Sequence, residues 1–209
     1  MHDLTHPITS GMQTYPGDPS VTCTPALRIA TDGVSVGHWG LGSHTGTHVD
    51  APAHVIEGGR TLAEVALHEL CGEAIVLRVE VGEGSPYGLA ELEAAVRLPA
   101  RLSPIVVIDT GWASYFGTDR ALLHPYLDGS AAAELLRRGM HVLAVDTHSP
   151  DPTHLESELP VHRTVLGADG LIVENLTGLA ALSPRARVGF FPLRFGGDGA
   201  PARAVAFAE

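Results

Sequence analysis

The chain has 209 residues, of which 44% are hydrophobic and 18% are charged, a composition typical of one globular domain with a full apolar core. Acidic residues outnumber basic ones by 24 to 13, which gives a formal net charge of −11. That charge argues against nucleic acid or an anionic membrane as a partner, because either would need a basic face. We expect a single domain over residues 1–209.

The cellular compartment is indicated by features that the sequence lacks. No apolar run approaches the roughly 18 residues of a membrane-spanning helix. The opening segment has neither the basic nor the apolar stretch of a signal peptide. The two cysteines, Cys23 and Cys71, are too few for a disulfide framework and are predicted to be buried, as small apolar side chains would be. These features favour a reducing cytoplasm.

The first half of the chain is rich in turns. Residues 13–20 contain a Pro-Gly pair and predict a loop. Residues 20–32 and 34–42 alternate polar and apolar side chains on either side of Asp32-Gly33, which predicts a β-hairpin with its turn at that pair. The hairpin leads directly into a histidine-rich segment.

The second half of the chain alternates strands with helices. Apolar patterns predict strands at 74–79, 104–109, 142–145, 171–173, 188–193 and 202–207, and helices at 89–96, 130–138 and 159–166. Ser130 is the predicted N-cap of the second helix, and Gly139 marks its C-terminal end. Such alternation is typical of βαβ units, whereas the first half is hairpin-like. The expected fold is therefore one α/β domain with a mixed sheet.

The strongest functional signal lies in residues 44–54, which read His-Thr-Gly-Thr-His-Val-Asp-Ala-Pro-Ala-His. Gly46, a proline and three β-branched residues disfavour a helix here. In an extended strand, His44, His48 and Asp50 would share one face, and Gly46 would leave room between them. Imidazole and carboxylate groups suit a divalent ion such as zinc or manganese. Three protein ligands would leave a coordination position open for water, as catalytic sites do.

The third histidine of this segment, His54, lies beyond Pro52, which restricts Ala51 to extended geometry and stiffens the peptide after Asp50. The spacing allows two roles for His54: a fourth metal ligand, or a proton-transfer group beside the metal. A lone histidine on a strand is more often a structural, hydrogen-bonded residue. Three histidines and one aspartate within eleven residues favour a metal site instead.

A second cluster comes late in the chain, with His162 on a short predicted helix and Glu174 directly after a buried strand. The end of a strand is a usual place for functional side chains in an α/β domain, although an ion pair or a helix cap is the alternative for Glu174. Asp109, Asp146 and His148 also follow strands and are expected to be structural or supporting residues. Four aromatic residues are expected in the core rather than at a binding site: Trp39, Trp112, Tyr115 and Phe116.

The motif at residues 44–54 resembles the signature of the cyclase family, which includes the bacterial kynurenine formamidases. The opening of the chain through Asp18 and the segment 109–112 are also similar to that family. In the stretch 143–151, Ala144 replaces the family's glycine and His148 occupies its variable position. The segments 162–166 and 172–176 are similar to its closing motifs, so the resemblance covers nearly the whole chain.

This resemblance implies a swivelling β/β/α fold, assembly as a homodimer or homotetramer, and two divalent ions per chain, zinc or manganese. The implied metal ligands are His44, His48, Asp50, His162 and Glu174. The first two histidines would bind one ion, His162 would bind the other, and both carboxylates would reach both ions. His54 would be the proton donor and acceptor.

The implied activity is metal-dependent hydrolysis of a small aromatic N-acyl compound, such as a formamide, or of a cyclic amide. Relatives commonly have tryptophan before Pro-Gly-Asp, where it stacks on the substrate. Here Tyr15 occupies that position, keeps a flat face and adds a hydroxyl. One alternative is an enzyme that resembles isatin hydrolase or a polyketide cyclase, with a different substrate. Another is a catalytically silent protein that binds a metal or a ligand.

Overall fold

Twelve strands, four α-helices and five short 3-10 helices make up the regular structure of residues 1–95, 97–153 and 158–207, which this computed structural model describes. The strands are β1 (His2–Asp3), β2 (Thr22–Leu27), β3 (Val36–Gly40), β4 (His48–Asp50), β5 (Cys71–Arg78), β6 (Pro86–Tyr87), β7 (Ile105–Asp109), β8 (Tyr126–Leu127), β9 (Val142–Val145), β10 (Leu171–Glu174), β11 (Arg185–Pro192) and β12 (Gly199–Phe207). The helices are α1 (Ile29–Asp32), α2 (Leu89–Ala95), α3 (Gly129–Arg137) and α4 (Pro160–Gly167). The predicted end of the first helix at Val96 lies outside the described residues.

One mixed sheet dominates the molecule, with eight strands in the order β1-β12-β11-β5-β7-β9-β10-β4. The long strand β12 pairs with β11 through residues 202–207 and with β4 through residues 199–201, so the sheet closes on itself as a barrel. Strands β5, β7, β9 and β10 run parallel, whereas β4, β11 and β12 pair antiparallel. The predicted α/β domain with a mixed sheet is confirmed.

Both faces of the parallel strands are buried. Alternate residues such as Val76 and Val107 join one core cluster with residues of β4, β11 and β12. Their neighbours Leu77 and Ile108 join a second cluster with residues of the helices, such as Leu135 of α3. A strand that is covered on both faces needs apolar residues at every position, which explains the continuous apolar runs in the sequence.

The helix α3 begins one residue earlier than predicted, and its N-cap is Asp128 rather than Ser130. The Asp128 carboxylate accepts hydrogen bonds from the backbone N–H groups of Ser130 and Ala131. The prediction was wrong because an aspartate two residues before Ser130 reaches two free amides of the first turn. Gly139 follows the helix in a left-handed conformation, with a φ of 106°, as expected at a C-terminus.

No helix in the described ranges has the length and apolar character to cross a bilayer.

The predicted hairpin is present as β2 and β3, with Thr22 opposite Gly40, but its turn differs from the expected two-residue turn. The chain instead makes one helical turn, α1, which Gly33 ends with a φ of 77°. The strands are shorter than predicted because this turn takes up the residues between Leu27 and Val36. All residues from 24 to 39 are exposed, so the hairpin projects from the body.

Two predictions of burial were wrong for side chains near exposed edges. Cys23 and Cys71 are free and half-buried, because the first lies on the projecting hairpin and the second begins β5. Trp39 is 46% exposed, since it also lies on the hairpin. Trp112 is buried as predicted, and the other two aromatic residues expected in the core are half-buried.

The connection from α4 to β10 leaves no room for a side chain at Gly170. A Cβ atom there would lie 2.8 Å from the backbone oxygen of His141 and 2.9 Å from that of Val165. We expect Gly170→Ala to lower the free energy of unfolding by about 1–3 kcal/mol in urea denaturation, because backbone atoms cannot move aside as a side chain would. Gly196→Ala is the control, with nothing within 4 Å of its Cβ and an expected change within about 0.5 kcal/mol. Equal effects of the two substitutions would contradict this interpretation.

Candidate metal centre and binding cavity

The centre of the site is built on β4 and β10, which pair antiparallel with His48 opposite Glu174 and Asp50 opposite Ile172. Successive side chains of a strand point to opposite faces of the sheet. Val49 therefore packs into the core, while His48, Asp50 and Glu174 lie together on the other face. The pairing of the two strands brings a histidine and two carboxylates to one place.

The helix α4 adds His162 to this face. Val161 and Val165 fix the helix in the core cluster, and His162 beside them is 4% exposed. The carboxylate of Asp151 accepts hydrogen bonds from the backbone N–H groups of Val161 and His162, at 2.9 and 3.0 Å. Asp151 also lies 2.7 Å from His162 Nδ1. One buried aspartate therefore holds both the start of the helix and the ring of its histidine.

His44 reaches the site from a loop, since β4 begins only at His48. Gly46 between them has a φ of 62°, a left-handed conformation that interrupts an extended chain. The prediction that His44 and Gly46 lie in the same strand as His48 was therefore wrong. Even so, His44 Nδ1 lies 2.7 Å from Asp50 Oδ1. Gly199 makes room for this ring, because a Cβ atom there would lie 2.9 Å from His44 Cε1.

Two groups of potential metal ligands share Asp50. They are His44, His48 and Asp50, and Asp50, His162 and Glu174, and in each group one ligand atom per residue lies within 4.8 Å of the others. His48 Nε2 is 3.1 Å from Asp50 Oδ1 and 3.3 Å from Glu174 Oε2. His162 Nε2 is 3.3 Å from Glu174 Oε1. The structure thus brings together all five residues that the sequence predicts as ligands.

The donor set fits a divalent cation. Of the buried atoms that have no hydrogen-bond partner in the described part of the chain, three lie in this cluster: His48 Nε2, Asp50 Oδ2 and Glu174 Oε1. Unpartnered buried polar atoms are costly, and a cation would satisfy all three. His48 Nδ1 lies 2.8 Å from the backbone oxygen of Gly46, and His162 Nδ1 faces Asp151, so both rings turn Nε2 toward the centre. Nitrogen and carboxylate oxygen together suit zinc or manganese.

The charges of the cluster favour ionised carboxylates. Burial opposes ionisation of Asp50, but His48 and His44 hold the pKa of its carboxyl well below the usual value. Burial likewise opposes protonation of His48 and His162, but the neighbouring carboxylates raise the pKa of both rings well above the usual value. A cation in this cluster would replace the protons of these histidines as the positive charge.

His54 lies at the edge of the cluster, on a 3-10 turn at Pro52–His54 that follows the extended residue Ala51 as expected before proline. Its Nδ1 is 3.4 Å from Asp198 Oδ2, which is also 2.7 Å from His44 Nε2. Burial lowers the pKa of the His54 imidazole, so the ring is neutral near pH 7. His54 belongs to neither of the two groups that share Asp50, but with His44 and Asp198 it forms a third group whose ligand atoms lie within 4.8 Å of one another.

A cavity of about 240 Å³ opens over these residues. Its walls include Tyr15, as the sequence predicts for a substrate-binding residue, and Leu159. Burial raises the pKa of the Tyr15 phenol, which is hydrogen-bonded to Thr153. His148, which was expected to be a structural or supporting residue, also lies in the wall.

The other strand-end carboxylates, which were expected to be structural or supporting, make contacts within the fold. Asp109 lies 3.2 Å from the guanidinium of Arg78, and Asp146 accepts hydrogen bonds from the backbone and the hydroxyl of Thr110. Neither borders the cavity.

Sequence reasoning missed three residues that support the site. Asp151 ends the segment 143–151, and its sequence neighbours do not indicate its contact with α4. Asn175 donates from Nδ2 to the backbone oxygen of Gly46 at 3.1 Å and so fixes the loop between His44 and His48. Asp198 lies in a Gly-Gly-Asp-Gly loop before β12, and an acidic residue between glycines was the signal that could have found it.

The fold and the clustered ligands define the class of this chain. The sequence profile of the cyclase family, described as "Putative cyclase", matches residues 2–152. The chain belongs to this family, and the resemblance found in the sequence is confirmed.

Particular relatives and solved structures are similar over nearly the whole chain. Kynurenine formamidase from Salinibacter ruber is 29% identical over 211 residues, which cover 97% of this chain and 95% of the relative. Isatin hydrolase A from Ralstonia solanacearum has a TM-score of 0.85 at 25% identity and covers 99% of this chain and 91% of its own. A predicted metal-dependent hydrolase from Bacillus stearothermophilus has a TM-score of 0.79 at 25% identity, and the match covers 98% of this chain and 96% of the hydrolase.

The contact between Asp151 and His162 is expected to govern metal affinity. We expect Asp151→Asn to weaken zinc binding by about 10–100-fold, because an amide orients the ring and supports its basicity less well than a carboxylate. Competition with a fluorescent chelator measures the affinity. Asp32→Asn is the matched control, since it alters an aspartate that also accepts a hydrogen bond from a backbone N–H, that of Arg28, but lies on the exposed hairpin and does not border the cavity. An affinity of Asp151→Asn equal to that of the unmodified protein would contradict the assigned role.

Proposed function

We propose that this chain is a metal-dependent hydrolase that cleaves the amide bond of a small aromatic N-acyl compound, such as an aryl formamide. The observation that carries the proposal is the set of unpartnered atoms His48 Nε2, Asp50 Oδ2 and Glu174 Oε1 beneath the cavity. Similarity to proteins named kynurenine formamidase and isatin hydrolase supports an amide as the bond that is cleaved.

We further propose that two divalent ions, zinc or manganese, occupy the two groups of ligands. His44, His48 and Asp50 would hold one ion. His162 and Glu174, again with Asp50, would hold the other. When bound, such ions supply a Lewis acid that polarises a carbonyl group and increases the acidity of water.

His54 is the residue placed to move protons. Hydrolysis of an amide takes a proton from water and delivers one to the leaving nitrogen as the C–N bond breaks. With Nδ1 turned toward Asp198, Nε2 of the neutral ring is the nitrogen available to accept and return that proton. The carboxylate of Asp198 keeps the ring oriented and favours its protonated form between the two transfers.

The volume and the lining of the cavity favour a small substrate with an aromatic group. Its volume of about 240 Å³ is below the range of about 300–1,000 Å³ found for most ligand pockets. The ring of Tyr15 in its wall offers a flat apolar surface for an aromatic group. A cyclic aromatic amide is the second candidate, because isatin hydrolase A from Ralstonia solanacearum matches this fold with a TM-score of 0.85.

Separate substitutions are expected to divide the metal ligands from the proton-transfer residue. His48→Ala should lose most of the bound metal, whereas His54→Ala should keep close to two ions per chain and lower kcat by about 10²–10⁴-fold. Metal analysis of the purified proteins, with kinetics on an aryl formamide, measures both effects. Loss of metal from both variants would contradict this division of roles. If the unmodified protein holds no metal after loading with zinc and manganese, the proposal of a metal-dependent enzyme is wrong.

A side-by-side assay is expected to identify the substrate class. N-formylkynurenine and isatin are offered to metal-loaded protein, with formate release and ring opening followed separately. We expect formate release, since Tyr15 retains an aromatic wall for an open-chain aryl formamide. Ring opening of isatin without formate release would indicate a lactam hydrolase rather than a formamidase. No turnover of any amide by protein that holds metal would favour a silent binding protein.

We also propose that copies of this chain assemble as a homodimer or homotetramer through the projecting hairpin. A two-stranded hairpin is marginally stable alone in water, yet this one buries none of the residues from 24 to 39. It exposes five large apolar side chains, which are Leu27, Ile29, Val34, Val36 and Trp39. Exposed apolar surface of this kind marks an interaction site. The segment carries one arginine and one aspartate, so its own charges cancel. The net charge of −11 on the whole chain makes two copies repel each other, and this repulsion is weakest where the surface is neutral.

The assembly is expected to depend on these apolar side chains. The double substitution Ile29→Ser and Trp39→Ser should shift the mass in light scattering from that of an oligomer to that of a monomer. Leu67→Ser is the control, because Leu67 is 72% exposed elsewhere on the surface, and it should leave the mass unchanged. A monomeric unmodified protein, or an oligomer that survives the double substitution, would contradict the hairpin interface.

A further inference from the structure

We infer that His148 selects substrates whose aromatic ring carries a hydrogen-bond donor, such as a hydroxyl or an amino group, by accepting that hydrogen bond at Nδ1. The inference rests on the proposed function, because it concerns the same cavity. It adds a requirement on the substrate beyond the amide that is cleaved.

The ring of His148 is held in one position by an aromatic stack. Its centroid lies 5.4 Å from that of Phe116, with 17° between the planes. Phe116 in turn stacks on His6 at 3.8 Å and 10°. His148 is only 5% exposed and borders the cavity, so the stack presents its last ring to the substrate. A ring that is already held in place lowers the ordering cost of binding a substrate.

The tautomer of His148 follows from its contact with Gln13. His148 Nε2 lies 3.2 Å from Gln13 Oε1. Two further contacts identify that atom as the amide oxygen: it accepts from the backbone N–H of Gly117 at 3.2 Å, and Gln13 Nε2 donates to the backbone oxygen of Thr118 at 3.0 Å. Since an amide oxygen only accepts hydrogen bonds, His148 Nε2 must carry the proton.

The other nitrogen of His148 is therefore an acceptor. Burial lowers the pKa of His148 to about 4, so the ring is neutral near pH 7 and has one N–H group. With the proton on Nε2, Nδ1 has a lone pair. Within the described residues, Nδ1 of His148 makes no hydrogen bond to the protein. It is also absent from the set of fully buried atoms without a partner, to which His6 Nε2 belongs, so Nδ1 is accessible. The accessible space next to His148 is the cavity.

This acceptor discriminates between ring substituents. A hydroxyl or amino group that reaches Nδ1 exchanges its hydrogen bond with water for one with the protein. An ether or alkyl group of similar size leaves the lone pair buried and unpaired, which weakens the complex. A neutral hydrogen bond of this kind corresponds to about a tenfold preference, and leaving one partner unsatisfied increases that preference.

The experiment compares matched substrates on three variants of the metal-loaded protein. The ortho-, meta- and para-hydroxyformanilides are paired with the corresponding methoxyformanilides, and kcat and KM are measured for each. At one ring position at least, we expect the unmodified protein to favour hydroxyl over methoxyl by about tenfold in kcat/KM, mainly through KM. His148→Phe, which keeps a flat ring against Phe116 but has no acceptor, should reduce that ratio to about one.

A rescue and a control separate selection from a structural role. His148→Asn places an amide oxygen near the position of Nδ1 and should restore a preference for the hydroxyl compound. His68→Phe makes the same change of residue type at an exposed histidine outside the cavity and should leave the ratio as it is in the unmodified protein. Metal content and thermal unfolding confirm that each variant is folded.

Two different failures are distinguishable. Equal hydroxyl-to-methoxyl ratios in the unmodified protein and His148→Phe, at all three ring positions, would overturn the role of His148 while the hydrolase remains. Absence of turnover for every formanilide would instead overturn the proposed function. In that case calorimetry measures the dissociation constants of the same compounds. The ratio between the methoxyl and the hydroxyl compound, compared between the unmodified protein and His148→Phe, then decides the role of His148.

Discussion

The buried carboxylate of Asp50 is the constraint on which the rest of the structure depends. Asp50 is 0% exposed, and an isolated ionised group at that depth would cost several kcal/mol. Three histidines offset this cost, with His44 Nδ1 and His48 Nε2 at 2.7 and 3.1 Å from Oδ1 and His162 Nε2 at 3.7 Å from Oδ2. They come from a loop, a strand and a helix. The fold must therefore bring residues that are more than a hundred positions apart to one carboxylate, and the closed barrel provides that geometry.

The barrel fixes the site through a strand of only three residues. β4 lies between β10 and β12, so its backbone is hydrogen-bonded on both sides although the two neighbours come from the end of the chain. Closure by β12 also places Gly199 beneath His44 and the preceding residue, Asp198, between His44 and His54. The last strand thus contributes to the site as directly as the histidine-rich segment does.

The sequence was sufficient for the parts of the site that depend on residue type and spacing. The apolar runs predicted the parallel strands, and the motif of residues 44–54 with His162 and Glu174 predicted the candidate ligands that the structure brings together. Conformation was harder to predict. The left-handed backbone of Gly46 places His44 on a loop, and no periodic pattern indicates where a strand begins after a glycine. Contacts across the chain were also hidden, because the role of Asp151 depends on the position of α4 and not on its sequence neighbours.

The histidines of the cavity differ in charge because they have different neighbours. His48 lies against two carboxylates, which raise its pKa despite complete burial. His148 stacks on Phe116 and contacts an amide oxygen, and burial then lowers its pKa to about 4. His54 lies between these cases, with one half-exposed carboxylate at 3.4 Å and a pKa that burial lowers. Histidine rings in one small cavity therefore differ in their preferred charge, and the neighbouring side chains decide whether each ring is suited to hold a cation, to carry a proton or to accept a hydrogen bond.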